Sequence, residues 1–124
     1  MTQNEKNLLY KDLCARLPYG VRIHTYCLFD QDSVDPLYSL RECNGKIKIN
    51  DLYYIEEIKP YLFPMSSMSE ELREEHKDLL DNQYSFDANG NVFTLQDFYC
   101  KYHIDYRGLI PMELAIDATN KNIY

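Results

Sequence analysis

The sequence predicts an α+β fold: a small antiparallel sheet of three or more strands packed with about three helices, as one domain over residues 1–124. Three observations carry that expectation. Leucines recur every four residues near the start, Asn44-Gly45 lies between two strand-like runs, and Leu95, Phe98, Tyr99 and Tyr102 have the spacing of one helical stripe. A repeat near four residues marks an amphipathic helix, and strict alternation marks a half-buried strand.

The elements follow in order. Thr2 and Glu5 have capping-box spacing, which opens a helix over residues 2–17. Leu9, Leu13 and Leu17 supply its core face, widened by Tyr10 and Cys14, and Pro18 and Gly20 stop it. Residues 21–28 alternate as a strand, with Val21, Ile23, Thr25 and Cys27 on one side. Asp30, Asp32, Asp35 and Pro36 make 29–36 a loop. Asn44-Gly45 is the favoured type I′ turn pair, so residues 37–43 and 46–50 form a hairpin. Together with 21–28 it gives an antiparallel meander, with the first helix on one side.

Residues 52–68 are too apolar for a free linker, yet Pro60 and Pro64 argue against a long regular element there. The expectation is a helical turn or short strand, then an ordered loop. Residues 69–81 form a second helix, capped by Ser69 or Ser67, with a thin apolar face of Leu72, His76, Leu79 and Leu80. Glu70 with Glu74, Glu71 with Glu75 and Glu74 with Asp78 are repelling i,i+4 pairs, so this helix is expected to be the least stable. Extended pieces at 84–86 and 92–93 flank a turn at 87–91. Thr94 opens a third helix running to 103. The rest docks to about residue 117 and is expected to fray beyond it.

Composition excludes some functions. The 124 residues carry a net charge of −7, against the basic balance of a general nucleic-acid binder. Residues 1–50 hold 7 basic and 6 acidic side chains, residues 51–100 hold 3 and 11, and residues 101–124 hold 3 of each. The negative charge therefore centres on the second helix. An acidic face of this kind either solubilises or engages a basic partner. Twelve tyrosines and no tryptophan suit half-buried or interface positions. No stretch approaches a membrane span and the start lacks a signal-peptide core, so a cytoplasmic protein without membrane contact is expected. Cys14, Cys27, Cys43 and Cys100 then read as free thiols.

Catalytic signatures are missing: the chain has no Walker loop, GxGxxG, GxSxG or HExxH, and its four glycines cannot build a phosphate cradle. Cys100 and His103 are spaced C-x-x-H, but a structural zinc site needs four ligands and no second pair exists. No metal, cofactor or catalytic residue is predicted. A site assembled from His24, Cys27 and Arg107 is the enzymatic alternative, and a tyrosine platform for specific nucleic-acid binding is a third.

Three blocks, LLYKDLCARLPYGV at 8–21, IKPYLFPMSSMSEE at 58–71 and DYRGLIPMELAI at 105–116, resemble a group of small uncharacterised proteins of Bacteroides-type gut bacteria and their prophages and mobile elements. The resemblance spans most of the chain and implies a cytoplasmic, mobile-element setting, with no established activity. The chain departs from the group at Phe63, where a basic residue is common. The leading expectation is a noncatalytic interaction or accessory protein whose partner is another protein. Its candidate binding residues are Tyr61, Met65, Met68, Glu70, Glu71, Glu74, Glu75 and Arg107.

Overall fold

A computed structural model describes residues 1–25 and 33–124. It is α+β, with three α-helices and several sheets. The strand register of Tyr26 and Leu28, and the environment of Cys27, lie outside the described residues.

Helix α1 (Gln3–Arg16) starts where the capping box predicts. The Glu5 amide donates to Thr2 Oγ1 at 3.1 Å, and the Thr2 amide donates to Glu5 Oε1 at 2.8 Å. Its buried face differs from the leucine stripe. Leu9 and Leu13 are fully buried beside Asp12 and Arg16, while Cys14 is exposed and Leu17 half-buried. The charges are tolerated because they neutralise one another, as described below.

Strand β1 (Arg22–Thr25) pairs antiparallel with β2 (Ser33–Pro36), so the segment expected to be a loop ends as an edge strand. The Thr25 hydroxyl donates to Asp35 Oδ2 at 2.6 Å, giving a turn-forming residue a ladder role. The predicted hairpin forms as β3 (Leu40–Cys43) and β4 (Lys46–Ile49), with Asn44 at φ 52 and Gly45 at φ 77. A type I′ turn needs positive φ at both positions. The hairpin does not extend a meander from β1. It pairs instead with β5 (Tyr53–Tyr54) in a separate three-stranded sheet. Buried Asn50 joins the two sheets: its side chain accepts from the Tyr38 and Ser39 amides and donates to the Pro36 carbonyl.

Residues 58–64 differ most from the expected ordered loop. This segment is the longest strand among the described residues, β6 (Ile58–Pro64), and the centre of the larger sheet. It pairs antiparallel with β1, and in parallel with β9 (Ile104–Asp105) and β10 (Ile116–Asp117). Both prolines fit for one reason. The Leu62 carbonyl accepts from the Ala118 amide, so even-numbered residues turn their polar groups toward β10. The Phe63 amide donates to the His103 carbonyl, so odd-numbered ones face β9 and β1. Pro60 and Pro64 lack N–H groups only on the β10 side, where pairing covers Tyr61 and Leu62 alone.

Helix α2 (Glu70–Asn82) is capped by Ser69 Oγ, which accepts from the Leu72 amide at 3.3 Å. It leads into the hairpin of β7 (Tyr84–Phe86) and β8 (Val92–Thr94), turned by Asp87, whose Oδ1 accepts from the Asn89 and Asn91 amides. Helix α3 (Leu95–Lys101) follows, with Thr94 and Asp97 forming its capping box.

Two cores result. The larger joins α1, β1, β4, β6 and the tail through residues such as Leu9, Leu13, Ile23, Ile49, Leu62 and Leu109. The smaller joins α2, α3 and β9 through Leu79, Phe98, Tyr99 and Ile104. The segment after 117, expected to fray, carries specific contacts. Ala118 is 1 % exposed, and the Tyr124 hydroxyl accepts from the Arg22 amide at 2.8 Å and donates to the Tyr61 carbonyl at 2.7 Å. By register Arg22 would face Tyr61. The phenol thus bridges the strands where their ladder ends.

Candidate functional site

The candidate surface begins with the charge pattern of α2. Successive helical residues turn by about 100°, which places Glu70, Glu71, Glu74, Asp78 and Asp81 within a single arc of roughly that width. All five are exposed. The opposite face holds Leu79, 3 % exposed, with half-buried Leu72 and His76 against α3. The His76 ring lies 2.7 Å from the Tyr99 hydroxyl and stacks on Phe98. Glu75 sits at the boundary and accepts from the Tyr102 hydroxyl at 3.2 Å. Of the four candidate glutamates, Glu70, Glu71 and Glu74 share the acidic face, and Glu75 braces α2 against α3.

The hairpin adds what the sequence reading did not assign. Tyr84, Phe86 and Val92 are 52, 64 and 58 % exposed. Tyr84 pairs with Thr94 and Phe86 with Val92 across the ladder, so all four share one side of the two-stranded sheet. The rings of Tyr84 and Phe86 meet edge to face, with centroids 5.7 Å apart. A notch lined by Glu75, Asp78, Asn82 and Tyr84 makes the acidic arc and the hairpin neighbours. Leu80, 55 % exposed, lies on the other flank of α2 with Arg73 and Lys77. The signal for this patch was present in the alternation of Tyr84-Ser85-Phe86. Phe93, on the opposite side, is half-buried against the smaller core, and the alternation alone does not say which side is covered.

At the other end of α2 an apolar cleft of about 350 Å³ lies between the helix start, the end of α3 and the last part of β6. Phe63, Met68, Leu72 and Ile104 line it, with Lys101, His103 and Tyr124 on its polar side. Met68 is half-buried there, and Met65 is 38 % exposed outside it. His103 sits just past α3 at φ 58 and stacks on Tyr124 at 3.7 Å between centroids. Burial, with the nearby Arg16 guanidinium, lowers its pKa to about 4, so the ring is neutral at physiological pH. Burial of the Tyr124 hydroxyl pushes that group up to about 12.

The remaining candidates, Tyr61 and Arg107, lie away from α2 and the hairpin. Tyr61 is 6 % exposed in the central strand, and its ring meets His24 edge-on. Arg107 donates to Asp12 Oδ1 at 3.0 Å, while Arg16 donates to Asp12 Oδ2 at 2.7 Å and to the Ile104 carbonyl at 2.6 Å. Both guanidinium groups lie over the Tyr106 ring. One buried carboxylate thus anchors two cations and ties α1 to the segment after α3.

Of the dispersed enzymatic set, Cys27 lies outside the described residues, and the two described members sit in different surroundings. His24 lines surface grooves with Glu56, Glu57, Lys59 and Tyr61, whereas Arg107 is committed to Asp12. Cys100 is 1 % exposed, and burial pushes its thiol pKa up, the opposite of an activated nucleophile. Among the described residues no group of three or more His, Cys, Asp or Glu side chains could hold a metal ion. No described helix is long and apolar enough to cross a membrane. Comparison with protein-family models, with curated proteins and with solved structures finds no match to this chain.

Proposed function

We propose that the chain is a noncatalytic interaction protein, an accessory factor in the mobile-element setting that the sequence resemblance implies. Its docking surface is the acidic arc of α2 joined to the apolar side of the β7–β8 hairpin. The observation that carries this reading is the juxtaposition of five exposed carboxylates with exposed Tyr84, Phe86 and Val92. Exposed apolar side chains beside one sign of charge suit a partner segment that is both basic and apolar. The apolar contacts would supply affinity, and the charges would supply orientation and encounter rate.

The acidic arc also opposes local stability. Glu74 repels Glu70 and Asp78, and Asp78 and Asp81 stand at the negative end of the helix dipole. A purely solubilising surface would be served as well by mixed charges.

The test is a titration followed by calorimetry. An amphipathic lysine-leucine peptide is compared with a scrambled peptide of equal composition and with its glutamate counterpart. The reading predicts saturable binding of the amphipathic cation, weakened by Phe86→Ser with Val92→Ser and by raised salt. Equal heats for the cationic and glutamate peptides would defeat it.

A further inference from the structure

The cleft at the start of α2 is separate from the acidic arc and differs from it in chemistry. Its walls are apolar: Phe63 from β6, Met68 and Leu72 from the α2 entry, and Ile104 from β9. Its volume lies at the lower end of the range for small-molecule sites. Lys101, the last residue of α3, stands at the rim with no carboxylate within ion-pair distance among the described residues. Its ammonium is held over two rings, 5.2 Å from the Tyr102 centroid and 5.6 Å from that of Phe93. In a chain of net charge −7, an unpaired cation fixed at the mouth of an apolar cleft is a site of reversed sign. Glu75 accepts from the Tyr102 hydroxyl, and neither it nor Glu70 nor Glu71 is among the lining residues. The inner wall adds His103, whose Nδ1 is buried without a hydrogen-bond partner.

We infer that this cleft binds a small apolar carboxylate, with its hydrocarbon part on Phe63, Met68, Leu72 and Ile104 and its carboxylate at the Lys101 ammonium. The stacked His103 and Tyr124 rings also line the cleft. The polar head stays at the rim, where an exposed ion pair contributes modestly, so most of the affinity comes from the apolar walls. This site stands independently of the α2–hairpin surface.

Octanoate, octanol and octylammonium share one tail and differ in head group, and backbone amide shifts of the full chain read their binding. Octanoate is expected to saturate at roughly millimolar concentration, as suits a ligand of its size. Its shifts should fall at Phe63, Ser67 to Leu72, Lys101 to Ile104 and Tyr124. It should bind roughly two- to fivefold tighter than octanol, the value of one exposed ion pair, with octylammonium weakest. Lys101→Gln should erase the preference for octanoate over octanol, and Lys101→Glu should invert it toward octylammonium. Because Lys101 is exposed, both variants should keep the wild-type shift pattern elsewhere. Head-group-independent binding, shifts scattered outside the cleft, or an unchanged preference in Lys101→Gln would overturn the assignment.

Discussion

The body built from α1 and β6 and the arm built from α2, the β7–β8 hairpin and α3 solve the same problem differently. Among the described residues the body buries thirteen core residues around a central strand that is paired on both edges, whereas the arm's own cluster holds four. The body buries a charged cluster in which Asp12 binds both Arg16 and Arg107. The arm places like charges outside on one arc and leaves Tyr84, Phe86 and Val92 exposed. The lesson is a division of labour. The body holds the larger core, and the arm sets exposed Tyr84, Phe86 and Val92 beside an acidic arc.

The largest expected effect breaks the body. Asp12→Ala leaves the fully buried Arg16 without its carboxylate and should cost about 3–5 kcal/mol in denaturant unfolding. A loss below about 1 kcal/mol would mean that Arg16 reaches water after the change.

A second effect lies where body and arm meet. His103 has a pKa near 4 in the fold, against 6.5 for the free side chain. The unfolded chain therefore gains a proton as pH falls through 6.5, while the folded chain resists until about 4. Stability is full above that window and falls within it, by about 2 kcal/mol after allowance for partial exposure. His103→Asn, which keeps a residue tolerant of positive φ, should flatten the pH dependence between 6.5 and 4. An unchanged slope would place the titration elsewhere.

Tyr124→Phe removes the hydroxyl between the Arg22 amide and the Tyr61 carbonyl and should cost about 1 kcal/mol. Limited proteolysis of residues 118–124 should accelerate with it. A variant as stable and as resistant as the parent would return this segment to a frayed end.

The smallest effect has the opposite sign. Asp78→Lys replaces a repelling pair with Glu74 by an attractive one and puts a cation near the helix C-terminus. The helix should gain about 0.5 kcal/mol, while binding of a basic amphipathic peptide weakens. Destabilisation would show that Asp78 has a structural partner role.

Local chemistry made part of this legible in the sequence. The capping boxes at Thr2 and Thr94, the Asn44-Gly45 turn and the Ser69 cap are written within a few residues, and each forms where its spacing indicates. The central strand was hidden because Pro60 and Pro64 usually end strands, and their tolerance depends on which edge β10 covers, a long-range fact. Strands β9 and β10 are two residues long and carry no alternation to read. The buried Asp12–Arg16 pair carries no mark of burial in the sequence, because i,i+4 charges are spaced alike inside and out. At the candidate site the acidic helix could be counted from the sequence. Its arc and the exposure of the hairpin beside it come from the fold.

Amide-shift mapping of the full chain during titration with the basic amphipathic peptide, at low salt and again at high salt, tests the arm as a docking surface. Saturable shifts confined to α2 and the hairpin, residues 70–94, are expected, with affinity falling as salt rises and β6 and α1 silent. Shifts spread over the body, or none in the hairpin at saturation, would contradict the claim that the arm is the docking surface.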